Sequence, residues 1–320
     1  MVEQAAPGLN ALRQKTAARA DIERIHVDEP RTFLDRVANR RRPAIVTGLM
    51  ANWPATHKWS PAWFKQSYPG ATFNTHINLP TQGVAYDQTA ANHLQAMTMA
   101  AFIDGLHDFQ KPAYVRRQYV DRFPGAERDV QFLDMVGAQG YSTETFLWIG
   151  TANTRTALHF DFQDGALAQF HGRKRVWLVS PADSKYVYPY KDSITKSQVC
   201  IDAPEYGRHP DFSRVTVHEG LLNAGELLFI PRRWWHAITA LDVSISCSFS
   251  WGQKITAREL ASAVNAGGAG HWARVIRDFV VLGVLHGAHS LRLNDDPPFG
   301  KLMYQILSSA VRRRLSGHAR

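Results

Sequence analysis

Cysteine is scarce in this chain: Cys200 and Cys247 are the only two in 320 residues. A disulfide framework is therefore excluded as the basis of stability, and a reducing cytoplasm is the expected setting. Long apolar runs are also missing. The most apolar stretch, Phe279 to Leu285, is far too short to cross a bilayer, so no membrane span is expected. Residues 1–20 carry charged and polar side chains throughout and lack the apolar centre of a signal peptide, so no secretory signal is expected. No internal repeat and no low-complexity tract interrupts the sequence. Acidic residues run out at the end, with none from Lys301 to Arg320.

What is present is ordinary globular composition, 45% hydrophobic and 20% charged. The length suffices for one large domain with appendages or two modest ones, and for a substantial core. Net charge is +9, and Arg40-Arg41-Arg42 and Arg312-Arg313-Arg314 concentrate part of it. A basic surface suits a polyanion such as RNA or an acidic peptide. No RNA-binding motif accompanies it, so a solvated basic face is the preferred reading and nucleic acid the alternative.

Three regions follow from the pattern. Residues 1–19 read as a flexible leader, 20–252 as the main domain, and 253–320 as a C-terminal helical region. Pro43 to Leu49 reads as a short buried strand closed by Gly48. Ser60-Pro61 opens a helix with an N-cap and a proline at its first position, and Thr98 caps another that runs to Leu106. From Tyr114 to Trp251 the chain becomes a succession of short β-rich runs: 146–149, 157–162, 175–179, 227–230 and 243–251. That density predicts a barrel or double-sheet jelly roll. Val243 to Ser250 alternates apolar and small polar side chains, so one face of that strand meets a core and the other a cavity or solvent. After Gly252 the chain turns helical. Thr256 and Glu259 form a capping box, and Trp272–Leu285 and Lys301–Leu315 carry apolar residues near helical period.

The chemistry concentrates in His159-Phe160-Asp161 and in His236, which follows His159 by 77 residues (236 − 159). Two imidazoles and one carboxylate are the donors of a facial-triad iron(II) site, which leaves coordination positions open. In a strand, residues i and i+2 share a face, so His159 and Asp161 are expected to project together into a lumen with Phe160 outward. His236 sits where another strand begins. A histidine two residues from an acid is weak by itself: with 14 histidines and 28 acidic residues, roughly one such pair arises by chance. Lys174 strengthens it. A lysine pointing into a barrel needs an anion, which a metal-chelating dicarboxylate would provide, with the Thr156 hydroxyl in support. The competing reading makes Lys174 one of three basic residues on an exposed strand, and the pattern weighs the two evenly.

Three segments, Thr156–Asp161, Phe170–Val176 and Ile230–His236, resemble the JmjC/cupin-like iron(II)- and 2-oxoglutarate-dependent oxygenases, the asparaginyl hydroxylase branch in particular. The likeness spans about Ile25 to Trp251 and includes Pro43–Leu49 with Trp53-Pro54, Tyr188–Tyr190 and 197–212. It implies a mainly β fold: a double-stranded β-helix (jelly roll, cupin) core with N-terminal α/β elements and a C-terminal helical segment. It implies His159, Asp161 and His236 as iron(II) ligands, and Lys174, Thr156 and Tyr114 around the distal carboxylate of 2-oxoglutarate. Implied chemistry is hydroxylation of an unactivated C–H of a protein or peptide side chain, using dioxygen and releasing succinate and carbon dioxide. The alternatives are the same chemistry on tRNA or a small metabolite, or a metal-binding cupin without catalysis. Two asparagines of the relatives fall at Gly165 and Ser248 here. A substrate-facing glutamine falls at Arg116, where an arginine favours an acidic or carboxylate-bearing substrate. Gln169 and Trp235 complete the expected substrate contacts, Trp235 also reading as packing beside the third ligand. The placement of the C-terminal helices implies a homodimer through about Thr256 to Leu315.

Overall fold

The computed structural model describes residues 16–84, 93–137, 144–190, 193–252, 255–266, 269–285 and 300–308. The strands are β1 (Ala18–Asp21), β2 (Glu23–His26), β3 (Ala44–Thr47), β4 (Thr72–His76), β5 (Leu94–Thr98), β6 (Tyr114–Tyr119), β7 (Glu144–Gly150), β8 (Arg155–His159), β9 (Asp164–His171), β10 (Lys174–Val179), β11 (Thr216–Leu222), β12 (Leu227–Ile230), β13 (Trp235–Ala240) and β14 (Ser244–Trp251). The helices are α1 (Phe33–Arg36), α2 (Pro54–Lys58), α3 (Pro61–Ser67), α4 (Met99–Asp104), α5 (Phe132–Val136), α6 (Ala257–Ala266) and α7 (Ala269–Asp278), with a wider helical turn over Phe279–Val284. The strands form two sheets, β1-β11-β10-β13-β8 and β2-β3-β12-β9-β14-β7-β6-β4-β5. This is a mainly β molecule with a jelly-roll core, as expected. β1 starts at Ala18, so the end of the stretch expected as a leader is paired with β11.

Alternation along the strands decides which way each sheet faces. On β14, Ile245, Cys247, Phe249 and Trp251 enter the largest core cluster, together with Phe33, Trp53 and Phe132 of the N-terminal helices and loops. Phe249 stacks on Phe132 at 4.8 Å between centroids. Ser244, Ser246 and Ser248 point the other way, into the barrel. On the smaller sheet, Trp177 and Val179 of β10 with Trp235 and Ala237 of β13 face outward into a second core, roofed by the 181–215 insert and the C-terminal helices. Val176 and Leu178 face inward and meet Leu167 and Leu228 across the barrel. One part of the interior is thus apolar and closed, and the part beside β14 is polar.

Local signals in the sequence have direct counterparts. Ser60 accepts a hydrogen bond from Trp63 N at 3.2 Å, and Thr98 accepts one from Ala101 N at 3.2 Å. Thr256 and Glu259 bond reciprocally, Glu259 N to Thr256 Oγ1 at 3.2 Å and Thr256 N to Glu259 Oε2 at 3.0 Å. Both cysteines are buried and unbridged. Among the described residues no helix is long and apolar enough to cross a membrane. Residues 309–315, including Ala310 and Val311 of the expected last helix, lie outside the described residues.

Candidate functional site

His159 is the last residue of β8 and His236 the second of β13, and the two are directly opposite in the antiparallel register. Their ring centroids are 4.1 Å apart. Between this pair and Thr156–Ile238 the register shifts by one, so β8 carries a bulge. Bulges re-aim side chains near sites. Here the carbonyl of Ala157, within the bulge, accepts a hydrogen bond from His159 Nδ1 at 2.8 Å. Trp234 O does the same for His236 Nδ1 at 3.1 Å. A carbonyl only accepts, so each Nδ1 carries the proton and each Nε2 lone pair is left to bind a metal. Burial, and next the neighbouring His236, push the His159 pKa down to about 4, which keeps its ring neutral at pH 7.

Asp161 joins them by a route the alternation did not foresee. β8 ends at His159, so Asp161 lies in a bend rather than on the strand. The bend holds because Phe160 turns outward, edge-on to Trp235 at 4.9 Å, and Arg233 N donates to Asp161 O at 2.7 Å. One donor atom from each of His159, Asp161 and His236 lies within 4.8 Å of the others. His236 Nε2 and Asp161 Oδ2 stand 3.7 Å apart, beyond a normal hydrogen bond. Two imidazole Nε2 lone pairs and a carboxylate converging at this spacing fit a divalent metal such as iron(II). The Asp161 side chain is 65% exposed and that of His236 is 6%, so the site opens on the Asp161 side.

Lys174 begins β10 and is 3% exposed. Its Nζ donates to Ser246 Oγ at 2.6 Å. Burial alone pushes its pKa down to about 7. On the same sheet is Thr156, opposite Ile238, and on the larger sheet is Tyr114, opposite Gly150. Tyr114 lies 5.8 Å from the Trp148 ring, and Trp148 Nε1 donates to Ser248 Oγ at 2.8 Å. Gly150 is needed there, since a Cβ would sit 2.7 Å from the Tyr114 ring. The exposed-strand reading of Lys174 is thereby removed. Leu178 pairs with His236 and Lys174 with Ala240, so the lysine backbone and the histidine lie about 13 Å apart along the strands.

The expected substrate contacts divide. Arg116 follows Tyr114 on β6 at the register shift between Val115 and Gln118 and is partly buried. Gln169 is fully buried, and its amide donates to the backbone carbonyls of His171 and Gly172 at 2.7 and 3.1 Å, which places it in the closed end of the barrel, not at the mouth. Trp235 is 1% exposed and donates to Ser184 Oγ at 2.9 Å, on the face opposite His236. Packing accounts for the burial of Trp235, while Gln169 is held through its amide nitrogen and its buried Oε1 makes no hydrogen bond among the described residues. Two residues escaped sequence reasoning. Ser246, which receives the Lys174 ammonium, was marked only as one of several small polar residues. Lys196 stands opposite His159 in an antiparallel bridge, on the metal side, and its charge helps hold His159 unprotonated. It belongs to an irregular insert with no periodicity, so nothing in the pattern signalled it.

Two histidines and a carboxylate at one end of a jelly-roll interior, with a buried lysine on the same sheet, form a donor set that could hold a metal ion in a cupin-like barrel. The chain belongs to the JmjC/cupin-like 2-oxoglutarate oxygenase family, its residues 30–257 matching the family described as "Cupin-like domain". It is 30% identical over 239 residues to lysine-specific demethylase 8 of Xenopus tropicalis, covering 72% of this chain and 52% of that protein. It is 27% identical over 253 residues to human HSPB1-associated protein 1, covering 72% and 51%. It is 27% identical over 240 residues to tRNA wybutosine-synthesizing protein 5 of Gallus gallus, covering 68% and 73%. The chain thus spans about half the length of the first two relatives.

Proposed function

We propose that this protein is an iron(II)- and 2-oxoglutarate-dependent dioxygenase that hydroxylates an unactivated C–H of a protein or peptide side chain. The observation that carries the reading is the pairing of an open His159/Asp161/His236 donor set with Lys174, buried inside the same barrel and, among the described residues, donating to the Ser246 hydroxyl. When bound, iron(II) would activate dioxygen, the oxidant, and 2-oxoglutarate would give up two electrons as it is decarboxylated to succinate and carbon dioxide, the substrate C–H giving up the other two. The chain's own groups do the rest. The two Nδ1–H bonds and the Asp161 bend orient the donors. Lys174 holds the far carboxylate, with Thr156 and Tyr114 beside it, and takes up a proton on binding when the pH is above its lowered pKa. The apolar inner wall of Leu167, Val176 and Leu178 excludes water. No acid or base need be assigned to the hydroxylation itself.

Arg116 on β6 stands where the resemblance puts a substrate contact and Lys196 lies beside His159, and two such cations favour a substrate bearing an acidic group. Mass spectrometry of a lysate incubated with the enzyme, iron(II) and 2-oxoglutarate tests this. Gains of one oxygen at or beside acidic residues support it, and gains confined to basic segments contradict it. The basic surface and the likeness to a protein named for tRNA wybutosine synthesis keep RNA as the second reading. Binding to tRNA that is absent, or indifferent to salt, removes it. We further propose a homodimer through residues 253–320, supported by the exposed Ile276, Val280, Val281, Val284, Leu285 and Leu307. A chain ending at Gln253 should then be monomeric in sizing experiments.

A further inference from the structure

The segment that delivers the third ligand is fastened on two sides. Toward the site, three consecutive residues each hold something. Arg232 N donates to Asp164 Oδ1 at 2.8 Å, Arg233 N donates to Asp161 O at 2.7 Å, and Trp234 O fixes His236 Nδ1 at 3.1 Å. Arg233 does this with φ at 66°, a left-handed conformation that a non-glycine residue keeps only when its surroundings impose it.

Away from the site, both arginine side chains reach α6. Arg232 Nη2 lies 2.8 Å from Glu259 Oε1, and Arg233 Nη1 donates to Ser262 Oγ at 3.2 Å. Glu259 and Ser262 are three apart and share a helix face. Glu259 is itself fixed, because its other oxygen accepts from Thr256 N and Oγ1 in the capping box. The apolar packing runs along the same line. Phe160, between two ligands, and Trp235, beside the third, share a buried cluster with Ala263 and Val264 of α6 and Val275 of α7.

We infer that α6 is a positioning element of the metal centre: Glu259 and Ser262, acting through Arg232 and Arg233, set the geometry of Asp161 and His236, so metal affinity depends on how this helix is docked. By reciprocity, metal binding should tighten the docking of the C-terminal helices. The inference rests on the reading that His159, Asp161 and His236 bind a metal.

Manganese(II) titration of the full chain, followed by electron paramagnetic resonance, tests it. Glu259→Gln keeps a side chain able to serve the capping box but removes the charge facing Arg232. It should weaken manganese binding about tenfold, in the range that loss of a group supporting a ligand costs, and broaden the bound-ion signal. The thermal unfolding midpoint of the metal-free protein should fall only slightly, as for loss of a partly exposed ion pair. Ser262→Ala, an exposed change that leaves the fold intact, should weaken binding by a smaller factor, and the double variant by more than either. Asp242→Asn, which breaks a comparable pair with Arg173 on a distant turn, should change nothing. Wild-type affinity and line shape in the Glu259→Gln/Ser262→Ala double variant would overturn the inference. Failure of the wild type to bind manganese or iron would instead overturn the metal-site reading beneath it.

Discussion

The two sheets of the barrel share an interior but not a task. The larger sheet packs its outer face on the N-terminal helices in the main apolar core, and among the residues it turns inward are Tyr114, Trp148, Leu167, Gln169 and the serines of β14. The smaller sheet and the residues just beyond its strands hold all three metal donors and the lysine. Its outer face is covered by later, less regular chain: the 181–215 insert and the C-terminal helices. The difference teaches that stability and chemistry are assigned to different walls, and that the reactive wall depends on parts of the chain far from it in sequence.

Substitutions should separate the two walls. The largest effect belongs to His159→Ala. Metal affinity should fall by more than the roughly 10–100-fold that loss of a supporting partner costs, while the fold, read by circular dichroism, persists. Phe249→Ala on the other wall should do the reverse. Removing a ring stacked on Phe132 should cost about 3–5 kcal/mol in urea unfolding, with metal affinity of the folded protein unchanged. Comparable loss of metal binding in both variants would erase the distinction. Lys174→Met should weaken 2-oxoglutarate by a factor equivalent to about 2–5 kcal/mol, as for one partner of a buried charge pair, and leave the metal in place.

The smallest effect is a slope in pH. Lys174 has its folded pKa pushed from 10.5 down to about 7. Between those values the unfolded chain binds the proton that the folded one lacks, so stability of the protein without co-substrate should rise with pH across that window, by up to about 1.4 kcal/mol per unit. Below about pH 7 the cost of the buried ammonium is fully present. Urea titrations at pH 7, 8 and 9 should show this slope in wild type and a loss of it in Lys174→Met. Saturating 2-oxoglutarate should flatten it, since the anion keeps the lysine charged.

Much of this was legible from residue types. The donors were visible in His159, Asp161 and His236, and the buried strand in Pro43–Leu49. The inward serines of β14 followed from its alternation, and the cap of α6 from Thr256 and Glu259. Strand β9 was not read, because Gly165, Ala166 and Ala168 are small and both its faces are buried, which leaves no alternation. Asp161 was placed on a strand because alternation cannot say where pairing stops; a tertiary hydrogen bond from Arg233 decides that. Lys196, Ser246 as the partner of Lys174, and the α6 clamp stayed hidden for one reason. Each joins segments remote in sequence, and no local period records such a contact.

The central claim is that one cavity takes a metal at His159, Asp161 and His236 and a chelating dicarboxylate against Lys174. Anaerobic addition of iron(II) and 2-oxoglutarate, followed by visible absorption, tests it most directly. The account predicts a weak charge-transfer band in wild type that is lost in Lys174→Ala at the same 2-oxoglutarate concentration, with iron still bound. No band in iron-loaded wild type, or a band of equal midpoint in Lys174→Ala, would contradict it.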